Sequence, residues 1–150
     1  MSFKMGRVHL WSGEVEDRAG GTASKLALLS QAGANLEYVF TKRLGDKPGK
    51  GVLYVTPVTG PTQVAAARSA GLAETDDPIV HRIEGTNEAG LASRLTQAWA
   101  LAGISFQGLT MASLADKFIG YAAFDSIGDA NRAAQILADL GSHRQLARHG

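Results

Sequence analysis

The sequence predicts an α+β fold: two ferredoxin-like βαββαβ units, residues 1–77 and 78–150, paired into one continuous antiparallel sheet with the helices on one face. Three observations point there. The chain resembles itself at an offset of 70 residues, with Glu14/Glu84, Ala19/Ala89, Gly20/Gly90, Ala32/Ala102 and Gly33/Gly103 identical. The order of strand-like and helix-like patterning repeats with it. The cluster Asp76-Asp77-Pro78 reads as a breaker between the copies.

Each copy opens with a strand, residues 7–15 and 79–85. A tight glycine-containing turn leads into a helix at 22–32 and 91–102, where Leu26, Leu29 and Ala32, then Leu91, Leu95, Ala98 and Ala102, recur at helical spacing. Gly33 and Gly103 sit where a helix C-terminus favours glycine. Hairpins follow, 34–42 with 51–56 and 104–112 with 117–125. A second helix closes each copy, 61–70 and 127–140, the first of them opened by Pro61. Residues 72–75 form a short fourth strand, while 143–149 is a poor strand candidate. Each half is small for independent stability and has strand edges to cover, so pairing the halves into an eight-stranded sheet is the economical solution. Trp11, Tyr38, Trp99, Phe106 and Phe124 fall at core-compatible positions.

Composition narrows the function. With 45% hydrophobic and 19% charged residues the chain is globular, and with no cysteine it has neither disulfides nor thiolate chemistry. A net charge of +1 gives no basic stripe for nucleic acid. No apolar run nears the roughly 20 residues of a membrane span, and the start has no signal-peptide apolar region, so the expected location is cytoplasmic. His9, His81, His143 and His149 lack the paired spacing of a metal site, and no metal or cofactor is expected. Neither a Ser–His–acid set nor a Walker-type loop is present, so the chain reads as a non-enzyme.

The turns Asp17-Arg18-Ala19-Gly20 and Asn87-Glu88-Ala89-Gly90, with Ala32-Gly33-Ala34-Asn35 and Ala102-Gly103-Ile104-Ser105 downstream, resemble ACT domains over nearly the whole chain. Both copies carry alanine where that family favours proline, and Ser105 replaces its usual asparagine. The resemblance implies a regulatory, allosteric protein that binds a small molecule, most often an amino acid, where two units meet. Carried over, one site combines Asn87, Glu88, Ala89, Gly90 and Leu91 with Asn35. A weaker second site combines Asp17, Arg18, Ala19, Gly20 and Gly21 with Ser105. The implied partners are an amino acid or similar zwitterion, a separate metabolic enzyme or regulator, and a second copy in a homodimer.

Physical chemistry supports such turns independently. A helix start leaves about four N–H groups unpaired beside roughly half a positive charge, which suits a carboxylate. An amide such as Asn35 both donates and accepts, suiting a zwitterion. Plainer roles stand beside these. Asn87 and Asp17 fit helix N-caps, Asn35 fits a turn, and Glu14 and Glu84 fit either an ammonium acceptor or a solvated sheet face. Lys42, Arg43, Lys47 and Lys50 make a basic hairpin tip, solvated or open to an acidic partner. The alternative function is an assembly module that works through sheet edges without a ligand; a small enzyme or RNA binder is a third class on such folds.

Overall fold

A computed structural model describes residues 3–149, with side chains described as far as Gly141. The elements are β1 (Lys4–Glu16), α1 (Gly21–Gln31), β2 (Tyr38–Arg43), β3 (Lys50–Thr56), α2 (Gly60–Ser69), β4 (Ala73–Thr86), α3 (Leu91–Leu101), β5 (Gly108–Leu114), β6 (Lys117–Phe124) and α4 (Ile127–His149). The β-α-β-β-α pattern thus occurs twice, and the strands follow the order β2-β3-β1-β4-β6-β5 in an antiparallel sheet.

The sheet has six strands, not eight. Asp76-Asp77-Pro78 does not break the chain; β4 runs straight through it. Pro78 has no N–H, but the β4–β6 ladder begins one residue later, at Ile79↔Phe124, so no donor is missed there. The segment 143–149 is not a strand either, since α4 continues to His149.

The chain forms two compact units, His9–Asp76 and Met1–Val8 with Asp77–Gly150. We term them the inserted and the flanking unit. Residues before His9 therefore group with the second sequence copy rather than the first. In the inserted unit the strand order is β2-β3-β1-β4, and in the flanking unit it is β1-β4-β6-β5. Each has the four-stranded ferredoxin-like order, but the flanking unit takes its fourth strand from the front of the chain.

Alternation along the strands places one core per unit. In the inserted unit Trp11 and Val15 of β1 and Leu53 and Val55 of β3 meet Leu29 of α1 and Ala67 of α2. In the flanking unit Ile83 of β4 and Phe118, Ala122 and Phe124 of β6 meet Leu91, Leu95 and Trp99 of α3 and Ala133 and Leu137 of α4. Phe106 packs against that second core. Tyr38 joins neither core; it stacks on Phe40 with ring centres 6.3 Å apart.

Gly33 and Gly103 end their helices in the left-handed region, at φ 82° and 72°. In the first, Gly33 N–H donates to the Ser30 carbonyl and Ala34 N–H to that of Leu29, and Gly103 and Ile104 repeat the pair on Ala100 and Trp99. This Schellman closure occupies the residues just past each helix. It explains why β2 and β5 start at Tyr38 and Gly108, four residues later than the sequence suggests.

His81 is buried in the flanking core, edge-on to Phe124 at 6.1 Å. Neither ring nitrogen makes a full hydrogen bond. Burial holds the imidazole below the ordinary histidine range; Arg7 acts in the same direction, and backbone groups of Gly6 and Ala130 oppose it without cancelling it. The unfolded chain therefore takes up a proton that the folded chain refuses. Stability should be full above the ordinary histidine value and fall as pH drops through it, by at most about 1.4 kcal/mol per pH unit from this group. Urea midpoints measured from pH 7.5 to 5.5 (roughly one unit either side of the free value) check this. His81→Leu should flatten the dependence; an unchanged slope would place the titration elsewhere.

Candidate functional site

The two turns that carry the family resemblance have one backbone design. Gly20 and Gly90 are the N-cap residues, at φ 87° and 80°, and no side chain caps either helix. Asp17 and Asn87 are thus not N-caps; each lies three residues earlier. Their own N–H groups are tied back to the neighbouring hairpin of the same unit, Asp17 to the Gly49 carbonyl at 3.0 Å and Asn87 to that of Asp116 at 2.7 Å. Within the turn Gly21 N–H donates to the Arg18 carbonyl at 3.0 Å, and Leu91 N–H to that of Glu88 at 3.2 Å. The first full helical bond of α3 is Arg94 to Gly90, at 3.0 Å. The N–H groups of Ala92 and Ser93 precede it, and these are the donors a helix start leaves for a partner.

In the flanking unit the residues that carry these donors line a cavity of about 270 Å³. Asn87, Glu88, Gly90 and Leu91 line it together with Ala92 and Ser93, and Met111, Ala112, Ser113 and Phe118 form the opposite wall. Four of the five residues expected in this turn are therefore brought together; Ala89 is not part of the lining. Leu91 is buried and forms the apolar floor with Phe118. The Glu88 carboxylate is held by Arg94 at 3.1 Å, which leaves the rim less negative than the sequence suggests. A neighbouring hollow of about 690 Å³ shares Glu88, Ala112, Ser113 and Phe118 and adds Lys4, Arg82, Glu84, Asp116 and Lys117. Arg82, 2.8 Å from Glu84, holds that carboxyl below the usual carboxylate range, with Lys4 and Lys117 adding to the effect. Glu84 is already committed to these cations.

The turn in the inserted unit differs in chemistry. Asp17 accepts from Arg43 Nε at 2.8 Å, so its charge is locally compensated. Gly21 is buried at the position of Leu91, and a Cβ there would lie 2.1 Å from the Glu16 carbonyl oxygen. Only glycine fits, and the start of α1 is pressed onto the end of β1. Arg18, Ala19 and Gly20 are exposed. Three of the four cations of the basic hairpin tip are paired in the same unit: Lys47 with Glu14, Lys50 with Glu16 and Arg43 with Asp17.

Asn35 and Ser105 are exposed, in the extended segments that precede β2 and β5. Each lies past the C-terminus of its own unit's first helix, and the turn lies at the N-terminus. Both helices have 11 residues, so turn and segment are about 16 Å apart along the axis. A single unit therefore does not join its own turn to its own Asn35 or Ser105. Sequence reasoning missed the Arg94–Glu88 pair, the Arg43–Asp17 pair and the β5 wall. Glu88 lies in the turn before α3 and six residues from Arg94, so helical spacing does not pair them; all three depend on the fold.

No family model matches the chain, and no curated protein does. Solved structures match across most of its length. Protein BT0572 from Bacteroides thetaiotaomicron shares 12% identity at a TM-score of 0.72, covering 87% of this chain and 88% of that one. The ligand-free regulatory subunit of aspartate kinase from Thermus thermophilus shares 14% at 0.61, covering 91% and 97%. That of Thermus flavus shares 16% at 0.53, with the same coverage. At these identities the likeness is one of fold. It agrees with the repeated ferredoxin-like architecture read from the internal repeat.

Proposed function

We propose that this tandem ACT-fold chain is a non-catalytic regulatory sensor that binds an amino acid or similar zwitterion. The observation that carries the reading is the cavity at the start of α3, a helix start with no side-chain cap, lined by the neutral Asn87 and by the apolar Leu91 and Phe118. A carboxylate suits the N–H groups and the positive end of the helix. At about 270 Å³ the cavity is at the small end of ligand pockets, in keeping with a metabolite of that size. The fold shared with aspartate kinase regulatory subunits supports a regulatory role exerted on a separate enzyme. Following the ACT resemblance, we extend the site to Asn35, and we take Asp17, Arg18, Ala19, Gly20 and Gly21 with Ser105 as its weaker counterpart. Among the described residues no helix is long and apolar enough to cross a membrane.

A thermal-shift panel of proteinogenic amino acids at millimolar concentration tests the reading. A ligand at about a hundred times its dissociation constant should add about 2.7 kcal/mol to stability. A panel with no shift and no calorimetric heat would leave assembly through sheet edges as the function.

A further inference from the structure

A second kind of site lies in the inserted unit, away from the turns. His9 is on β1, and Glu74 and Asp76 lie two residues apart on β4, which puts them on one face of that strand. His9 Nδ1 is 3.2 Å from Glu74 Oε1 and 3.8 Å from Asp76 Oδ1. All three donor atoms fall within 4.8 Å of one another. An ion with bonds of about 2.1 Å in tetrahedral geometry needs donors about 3.4 Å apart, so the spacing requires only small adjustments.

Two features separate this cluster from a chance meeting of acidic side chains. It includes an imidazole, the commonest protein ligand for divalent transition metals. Glu74 also stands apart from the other strand-end carboxylates. Glu14, Glu16, Asp17 and Glu84 are each held by a lysine or arginine, whereas Glu74 pairs with His9 and, among the described residues, with no lysine or arginine. A divalent cation would meet the Glu74 carboxylate beside the His9 imidazole. All three side chains are about half exposed or more, so entry is open, and all three stand on strands rather than on loops.

We infer that His9, Glu74 and Asp76 form a three-ligand site for a divalent transition cation, Zn²⁺ foremost, with the remaining coordination left to water. His9 and Asp76 are the first and last residues of the inserted unit, so the bound ion would clip its two ends together. The inference is independent of the amino-acid reading, and its test uses no amino acid.

The test is calorimetry and thermal shift of the full chain with Zn²⁺, beside a His143→Ala/His149→Ala double variant that removes the tail imidazoles. One ion per chain should bind in both proteins and raise the melting temperature. His9→Ala and Glu74→Gln should each weaken binding by about tenfold or more. Both positions are exposed, and circular dichroism of the metal-free variants checks that they fold. Co²⁺ should give a visible d–d absorption that His9→Ala abolishes. No binding up to millimolar Zn²⁺, or binding that survives His9→Ala and Glu74→Gln, or binding lost only with the tail histidines, would overturn the assignment.

Discussion

Trp99→Ala should destabilise the flanking unit by about 3–5 kcal/mol. Trp99 is fully buried on α3, with its ring edge-on to Phe106 at 5.8 Å and to Phe124 at 5.4 Å. Its indole N–H donates to the Ala133 carbonyl on α4 at 3.2 Å. One side chain thus joins both helices to the sheet. Truncation removes the apolar burial, leaves a cavity among residues that cannot all collapse into it, and deletes two aromatic pairs worth about 0.5–1.5 kcal/mol each. A domain is stable by only about 5–15 kcal/mol, so the variant should sit near its unfolding midpoint at modest urea. Trp99→Phe keeps most of the volume and should cost clearly less. Urea titration followed by circular dichroism measures both, and Trp11 in the inserted unit remains as a fluorophore. A Trp99→Ala midpoint equal to wild type would contradict the packing described.

The second large effect concerns stoichiometry. Calorimetry with a stabilising amino acid should give one strong site per chain, not two. The turn at α3 presents the neutral Asn87 and a cavity between α3 and β5. The turn at α1 presents the anionic Asp17, and the Gly21 backbone there is packed against Glu16. Two like charges about 4 Å apart cost roughly 4 kcal/mol at an effective dielectric of 20. Arg43 offsets part of this for Asp17, but its side chain is 84% exposed, so solvent weakens the compensation. Micromolar binding amounts to about 8 kcal/mol, so even half of the repulsion removes more than a tenfold factor. Asn87→Ala should weaken the strong site by about tenfold, or 1.4 kcal/mol, and Asn35→Ala should do the same, whereas Ser105→Ala should change little. Two equal sites, or binding indifferent to both asparagine substitutions, would show the residues to be misassigned.

The repeat, the helices and their closing turns were legible because they are local. Leu29, Leu91 and Leu95 recur at helical spacing and are buried, and Gly33 and Gly103 adopt the left-handed closure their positions suggest. The path of β4 was not legible. Asp-Asp-Pro is a breaker by local propensity, yet β4 continues through it. The caps were misread because Asp17 and Asn87 have the right chemistry for a cap but lie three residues too early, with Gly20 and Gly90 taking the cap position. In the candidate site, the turn residues were named through the resemblance of the two glycine-containing turns to ACT domains. The β5 wall, the Arg94–Glu88 pair and the Arg43–Asp17 pair join residues whose proximity depends on the fold.

The flanking unit is made of two chain segments with the whole inserted unit between them. This sets an order of events on the ribosome, where a chain emerges at about 5–20 residues per second. Residues 4–8 are synthesised before the inserted unit, yet the rest of β4 and the β5 and β6 strands they belong with appear only after that unit is complete in sequence. The inserted unit can close its core while the rest is still being made. Residues 4–8 must wait through that interval, so a segment made before the inserted unit finds its strand neighbours only after that unit is made.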